Sequence, residues 1–143
     1  GKHPMSLEKA SVVAFIRQHR VGVVSTTCAN GAPEAALVYL AVTDELELVF
    51  YALQDTRKCI NLRRDPRLAA VIGWDNKKSL QFEGVADEPL EPDQSRIKRI
   101  YATARPDAGM QMQWPGLTYF RVKPKWVRMS SYGRPWSVEE MKF

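Results

Sequence analysis

Cysteine and histidine are scarce, with two of each in 143 residues. Cys28 lies beside a turn and Cys59 inside a helical stretch, and neither has a CxxC partner. No disulfide framework can be drawn from them, and the usage is that of free thiols in a reducing cytoplasm. His3 and His19 both fall near the amino end, away from any cysteine or carboxylate at ligand spacing, which argues against a metal site. The same scarcity leaves Ser25, Thr26 and Thr27 with no histidine to activate them, so no nucleophile–base pair is legible. No apolar run approaches the roughly twenty residues that cross a bilayer, and no signal-peptide pattern is seen. The expectation is a cytoplasmic protein with no membrane association. Repeats and low-complexity segments are absent too.

What is present is an ordinary globular composition, 45% hydrophobic and 26% charged, expected to form a single domain over residues 1–143. Residues 1–5 read as an expression remnant and a disordered lead-in. The net charge is +5 and the pI about 9.4. Residues 54–78 hold seven cations against three acids, so +4 of that charge lies in one short stretch. Such a patch attracts anions in general, small phosphorylated ligands included. No helix-turn-helix, zinc-finger or RNA-recognition signature accompanies it, and nucleic acid is not the expected partner.

Residues 6–18 carry Leu7, Ala10, Val13, Ala14 and Ile16 at helical spacing, with Ser6 as the cap. Residues 20–27 are rich in β-branched side chains and read as a strand. Asn30-Gly31 then predicts a two-residue type I′ hairpin, which needs positive φ at both central positions. The return strand spans 33–42, a turn follows at 43–45, and 46–51 alternates with Leu46, Leu48 and Phe50 on one face. A short helix from about Thr56 to Arg64 stops at Asp65-Pro66, where proline restricts its predecessor. Residues 67–74 look like a buried strand and 80–87 like the next. A helix from Pro92 to about Ala104 turns Ile97, Ile100, Tyr101 and Ala104 inward. Residues 105–116 are irregular, and 117–129 form a last long strand. About six antiparallel strands with helices between them favour a closed or nearly closed small barrel, because closure removes exposed edges.

Arg57 and Lys58 stand at the first turn of their helix, where unpaired N–H groups and the positive pole of the macrodipole already repel cations. Two readings fit. Either an anion docks there, met by the amides, Thr56 and both cations, or this is a solvated basic turn capped by Asp55.

The ordered segments V-G-V-V-S-T-T, N-G-A-P-E-A-A-L-V-Y-L, E-L-V-F-Y, T-R-K-C-I-N-L-R-R-D-P-R-L-A-A-V-I, L-Q-F-E-G-V-A and Y-F-R-V-K-P resemble the FMN-binding split β-barrels related to pyridoxamine 5′-phosphate oxidase. The likeness runs from Val12 to Met129. It implies a mainly β (α+β) fold, a six-stranded antiparallel split β-barrel with flanking helices. It also implies an FMN whose phosphate is held by Arg57 and Lys58. Ala36, Leu37, Val38 and Tyr39 would follow the flavin ring and ribityl chain, largely by backbone. Tyr51 and Ala52 match the pair beside the phosphate, and Gln81 matches a glutamine on the polar edge of the ring. Tyr101 and Arg105 match residues that grip a substrate phosphate in the oxidase.

The sequence departs from the family pattern in several places. Ala36 and Ala41 stand where the oxidase has cations, Gly109 replaces a serine, and no Arg/His motif follows Met129. True pyridoxamine-phosphate oxidation is therefore not expected. The resemblance implies an FMN-dependent oxidoreductase passing hydride between flavin and a small organic substrate or nicotinamide, NAD(P)H among them, and working as a homodimer with its sites at the subunit interface. Trp114, Trp126, Tyr132 and Trp136 are candidates to cover the flavin. Two alternatives stay open: a non-catalytic flavin or deazaflavin binder or sensor, and a haem-binding relative with His19 as its axial ligand.

Overall fold

The computed structural model describes residues 7–109 and 114–143. The expected lead-in at 1–5 lies outside the described residues, and the N-cap residue of the first helix is Glu8, not Ser6 as expected. In order come α1 (Lys9–His19), β1 (Val21–Thr27), β2 (Pro33–Tyr39), β3 (Ala41–Val42), β4 (Leu48–Leu53), α2 (Arg57–Arg64), β5 (Arg67–Ile72), β6 (Lys78–Asp87), α3 (Asp93–Ala104), β7 (Leu117–Ser131) and β8 (Ser137–Lys142). Every strand pairing is antiparallel, in the order β2-β1-β5-β6-β7-β4-β3, with β8 added to β7.

The two ends of that path are one piece of chain. β2 pairs with β1 and β3 pairs with β4, and only Leu40 separates them. Leu40 is 2% exposed and its amide donates to the Arg20 carbonyl at 2.7 Å. The sheet therefore curls round until the segment 33–42 borders both sides, which is the expected split barrel. Taken once, that segment leaves six barrel strands, with β8 as an extra edge.

Period-2 alternation sorts the side chains. Val24, Val38, Leu40, Leu48, Phe50, Ala70, Ile72, Leu80, Phe82, Phe120, Val122 and Val127 fill the interior. Phe50 and Phe120, directly paired across β4 and β7, stack at 5.5 Å between ring centres. The opposite face of β3 and β4 is buried as well. Ala41 and Val49 pack with Ile97, Tyr101 and Tyr119 under α3. The inward stripe expected on that helix is thus the one it uses.

Several expectations are corrected. α1 buries Val12, Val13 and Ile16 while Ala10 and Ala14 face outward, because bulky β-branched side chains bury more apolar area than alanine. The hairpin is not type I′. Of its loop residues only Gly31 has positive φ (+86°), Gly31 donates to the Cys28 carbonyl, and Cys28 donates to the Ala32 carbonyl. This is the three-residue loop in which a turn is followed by a left-handed glycine, and Asn30 uses its side chain to accept from the Ala32 amide at 3.0 Å. Residues 67–74 are not fully buried. β5 ends at Ile72 and alternates, leaving Val71 39% and Trp74 57% exposed. β8 was not expected at all: its sequence, S-V-E-E-M-K, is charged and lacks a buried-strand pattern. Among the described residues, no helix is long and apolar enough to cross a membrane.

β6 breaks register between Glu83 and Gly84 against β7. A Cβ on Gly84 would come within 2.4 Å of the Lys123 carbonyl oxygen and 2.9 Å of both Phe82 and Val122. The main chain at this bulge lies against its neighbour too closely for any side chain. Gly84→Ala should destabilise the fold by about 1–3 kcal/mol, as overpacking does, read as a lower urea midpoint with an unchanged slope.

Candidate functional site

The end of β4 feeds α2 through a tight turn in which the Thr56 amide donates to the Leu53 carbonyl at 3.1 Å. Thr56, not Asp55, is the N-cap residue, and no side chain caps the helix. The Thr56 hydroxyl donates to the Leu53 carbonyl at 2.7 Å, so its proton points away from the helix mouth, contrary to expectation. The first turn contains no acid, and its amides have no side-chain acceptor. Arg57 is exposed and Lys58 half-buried there.

The charge around this terminus is less free than the sequence total suggests. Arg63 makes a two-pronged bond to Glu88 (3.0 and 2.8 Å), Arg67 pairs with Asp65, and Arg64 donates to the Thr27 carbonyl. Arg67 holds the Asp65 carboxyl down at about 2. Among the described residues, Arg57 and Lys58 are left without a carboxylate contact. Arg57 instead donates to the Cys28 sulfur at 3.5 Å, which raises its pKa; the more distant Glu34 adds to this. Glu34 itself accepts from the Thr26 hydroxyl at 2.9 Å.

The sequence marks Cys28 only as a free thiol beside a turn and does not mark Asn61 at all. Asn61 is 5% exposed and donates to the Thr26 hydroxyl at 3.1 Å and to the Cys28 sulfur at 3.6 Å. A polar residue four positions after Arg57, on the helix face that also buries Cys59 and Leu62, was the available signal. These bonds lock α2 to the end of β1 and fix the direction in which its amino terminus opens.

The remaining expected residues divide by face. Ala36 and Val38 alternate with Leu37 and Tyr39 along β2: Val38 is in the interior, while Leu37 and Tyr39 are 63% and 50% exposed. A ligand on the outer face would meet those two side chains and only the backbone at 36 and 38. Ala52 points inward at 3% exposure. Tyr51 lies under α3, 5.0 Å from the Tyr101 ring and 5.8 Å from the Tyr119 ring. Gln81 is exposed on the outer sheet face, in the cross-strand row Leu37–Val23–Val71–Gln81. It shares a side of the sheet with Leu37, roughly 14 Å away by strand spacing.

Tyr101 is 2% exposed, and burial pushes its hydroxyl pKa up. Arg105 bonds Asp107 at 3.2 and 3.1 Å, contacts the Tyr101 hydroxyl at 3.4 Å and stacks over Tyr39 at 3.6 Å. Two of its five N–H groups go to Asp107 and one to Tyr101, so much of its charge is already answered within the fold. His19 stacks on Phe15 at 4.2 Å with its Nδ1 3.4 Å from Asp75. Of the aromatic candidates, Trp114, Tyr132 and Trp136 are at least half exposed, and Trp126 donates to Glu140 at 3.3 Å. No group of three or more His, Cys, Asp or Glu residues is placed to hold a metal among the described residues.

A curled antiparallel barrel with an uncapped, cation-bearing helix mouth beside one strand end defines a split-barrel protein with a candidate anion site. The family profile described as pyridoxamine 5′-phosphate oxidase matches residues 9–131, and the chain belongs to that family. No curated protein sequence matches it. Among solved structures, a haem-binding protein from Mycobacterium smegmatis is similar with a TM-score of 0.81 and 19% identity over 96% of this chain. The chain spans only 59% of that protein's length. A pyridoxamine 5′-phosphate oxidase candidate from Listeria innocua is similar with a TM-score of 0.69 and 25% identity, over 85% of this chain and 96% of that one. The haem storage protein HutZ from Vibrio cholerae has a TM-score of 0.66 and 20% identity, over 85% of this chain and 92% of its own.

The Arg63–Glu88 clamp ties α2 to the chain just beyond β6, and Thr118 on β7 also donates to Glu88 at 2.5 Å. The bond from Arg63 lowers the Glu88 carboxyl pKa below its ordinary 4.5. A depressed carboxyl contributes stability above its unfolded pKa and loses it as pH falls through the folded value. Glu88→Gln should therefore lower the thermal midpoint at pH 7, and the gap to the parent should close as pH is taken progressively below 4.5.

Proposed function

We propose that the chain is an FMN-binding oxidoreductase whose flavin phosphate sits at the mouth of α2. One observation carries this reading: an uncapped helix terminus with no acid in its first turn presents an exposed Arg57 and a half-buried Lys58. Those are the groups a dianion needs, namely free amides, the positive end of a helix and two cations, one of them a planar fork. The residues fit the group. When bound, flavin supplies the hydride chemistry, and the protein supplies binding and orientation.

Arg57 and Lys58 neutralise the phosphate. Leu37 and Tyr39 offer apolar contact along β2, and the backbone at 36–39 lines the path between. Without cations at Ala36 and Ala41, the anion grip rests on α2. The apolar outer row of Leu37, Val23 and Val71 suits a second copy of the chain, giving a homodimer that covers the flavin and admits a small organic substrate or nicotinamide. A flavin binder without turnover is the nearest alternative, separated by whether purified protein consumes NAD(P)H.

A second reading, haem, draws on the haem-binding and haem-storage neighbours. Against it, the His19 side chain is only 13% exposed and its ring packs on Phe15, leaving little open surface for an iron porphyrin.

The absorbance spectrum of purified protein separates the two. Flavin gives two visible bands that bleach on reduction, and haem gives a Soret band. Arg57→Ala with Lys58→Ala should weaken FMN binding by roughly 10- to 100-fold, the loss expected from charge-assisted contacts. Flavin retention equal to the parent in a titration of the folded double variant would refute the site.

A further inference from the structure

A concave site lies away from α2. A groove of about 460 Å³ opens between the end of α1, β3 and α3. That volume is within the range of small-molecule sites. Its floor is apolar, formed by Leu40, Ala41, Val42, Ile100 and Ala104, and four arginines line it: Arg17, Arg20, Arg96 and Arg99.

Acids touch only half of those cations, Asp107 and Glu91 lying within Coulombic reach of Arg20 and Arg99 without contact. Arg17 bonds Asp44 at 2.9 Å, and Arg96 lies 3.5 Å from Glu47 and 3.7 Å from Asp93. Among the described residues, Arg20 and Arg99 have no carboxylate contact, and Arg20 donates its Nε proton to the Arg17 carbonyl at 3.3 Å. Complementing the carboxyl end of α1 accounts for Arg17 and Arg20. It does not account for Arg96 and Arg99, which stand mid-helix on α3 and line the same groove. Arg20 also adopts the left-handed conformation (φ +64°) at the α1 C-cap, where glycine is favoured and a side chain is disfavoured. A long cation kept in a glycine position, among other cations, is a strained arrangement, and strain of this kind accompanies sites of function.

We propose that this groove binds a small amphipathic anion, with an apolar body on the Leu40–Ile100 floor and one carboxylate or phosphate among the guanidinium groups. Arginine's planar fork suits both headgroups. The site is separate from the flavin-phosphate site proposed at α2. Arg20 immediately precedes β1 and Cys28, beside Arg57, immediately follows it, which puts them roughly 26 Å apart along an extended strand.

Calorimetric titration of the whole protein with octanoate and with octyl phosphate tests the idea, with octanol and octylammonium as controls. Saturable binding of either anion, at least about tenfold tighter than both controls, supports it, and the tighter anion assigns the headgroup. Arg20→Gly should lower that affinity about tenfold while keeping or raising the thermal midpoint, a split that a purely structural role would not produce. Arg99→Gln should weaken binding similarly, and Arg134→Gln, an exposed arginine elsewhere, should not. Binding should persist in Arg57→Ala/Lys58→Ala, so failure of the flavin site and failure of this groove are told apart. The proposal is overturned if neither anion binds, if octanol binds as well, if Arg20→Gly and Arg99→Gln bind like the parent, or if the α2 double variant abolishes binding.

Discussion

The segment 33–42 is asked to be two edges at once. Its first seven residues hydrogen-bond to β1 and its last two to β4, and the buried Leu40 turns the chain between them. An open sheet of this length would present two unpaired rows of backbone groups. Drawing both ends of the path into one piece of chain removes that exposure and creates the enclosed interior that Phe50, Phe82 and Phe120 fill. The placement of both candidate sites follows from this closure. The far end of β1 meets the amino end of α2, and its near end meets the carboxyl end of α1, so each strand end receives a helix terminus.

Electrostatics then distinguishes the two ends. At α2 the basic residues are mostly committed to structure: Arg63 to Glu88, Arg64 to the end of β1 and Arg67 to Asp65. What remains available is the pair at the first turn, steadied by the Cys28 sulfur and by the Thr26–Asn61 bond below it. At the opposite end, acids match some arginines and not others. In both places the informative quantity is the charge left after local pairing, not the net charge of the protein.

Much of the barrel was legible because strand period and turn chemistry are local. The break at Asp65-Pro66, the Ile97/Ile100/Tyr101/Ala104 stripe and the six strand segments all follow from neighbours a few residues apart. Arg57 and Lys58 were legible for the same reason, since a helix start is a local feature. β8 was not, because its charged residues pair onto an edge of β7 without needing a buried face. The hairpin at Asn30-Gly31 was misread because one left-handed residue suffices when the loop is a residue longer.

The sequence by itself determined the order of the six barrel strands and three helices, which side chains share a face, and where two cations meet a helix mouth. Only the tertiary structure decided which face looks inward and what covers the other. Alternation makes Gln81 opposite to Leu80 and Phe82, but only the curl of the sheet turns those two into the core and leaves Gln81 outside. In the same way, α3 lies across β3 and β4 and buries Tyr101, and Arg20 and Arg99, 79 residues apart, line one groove. Such pairings depend on contacts between residues distant in the chain, and no window along the sequence contains both partners.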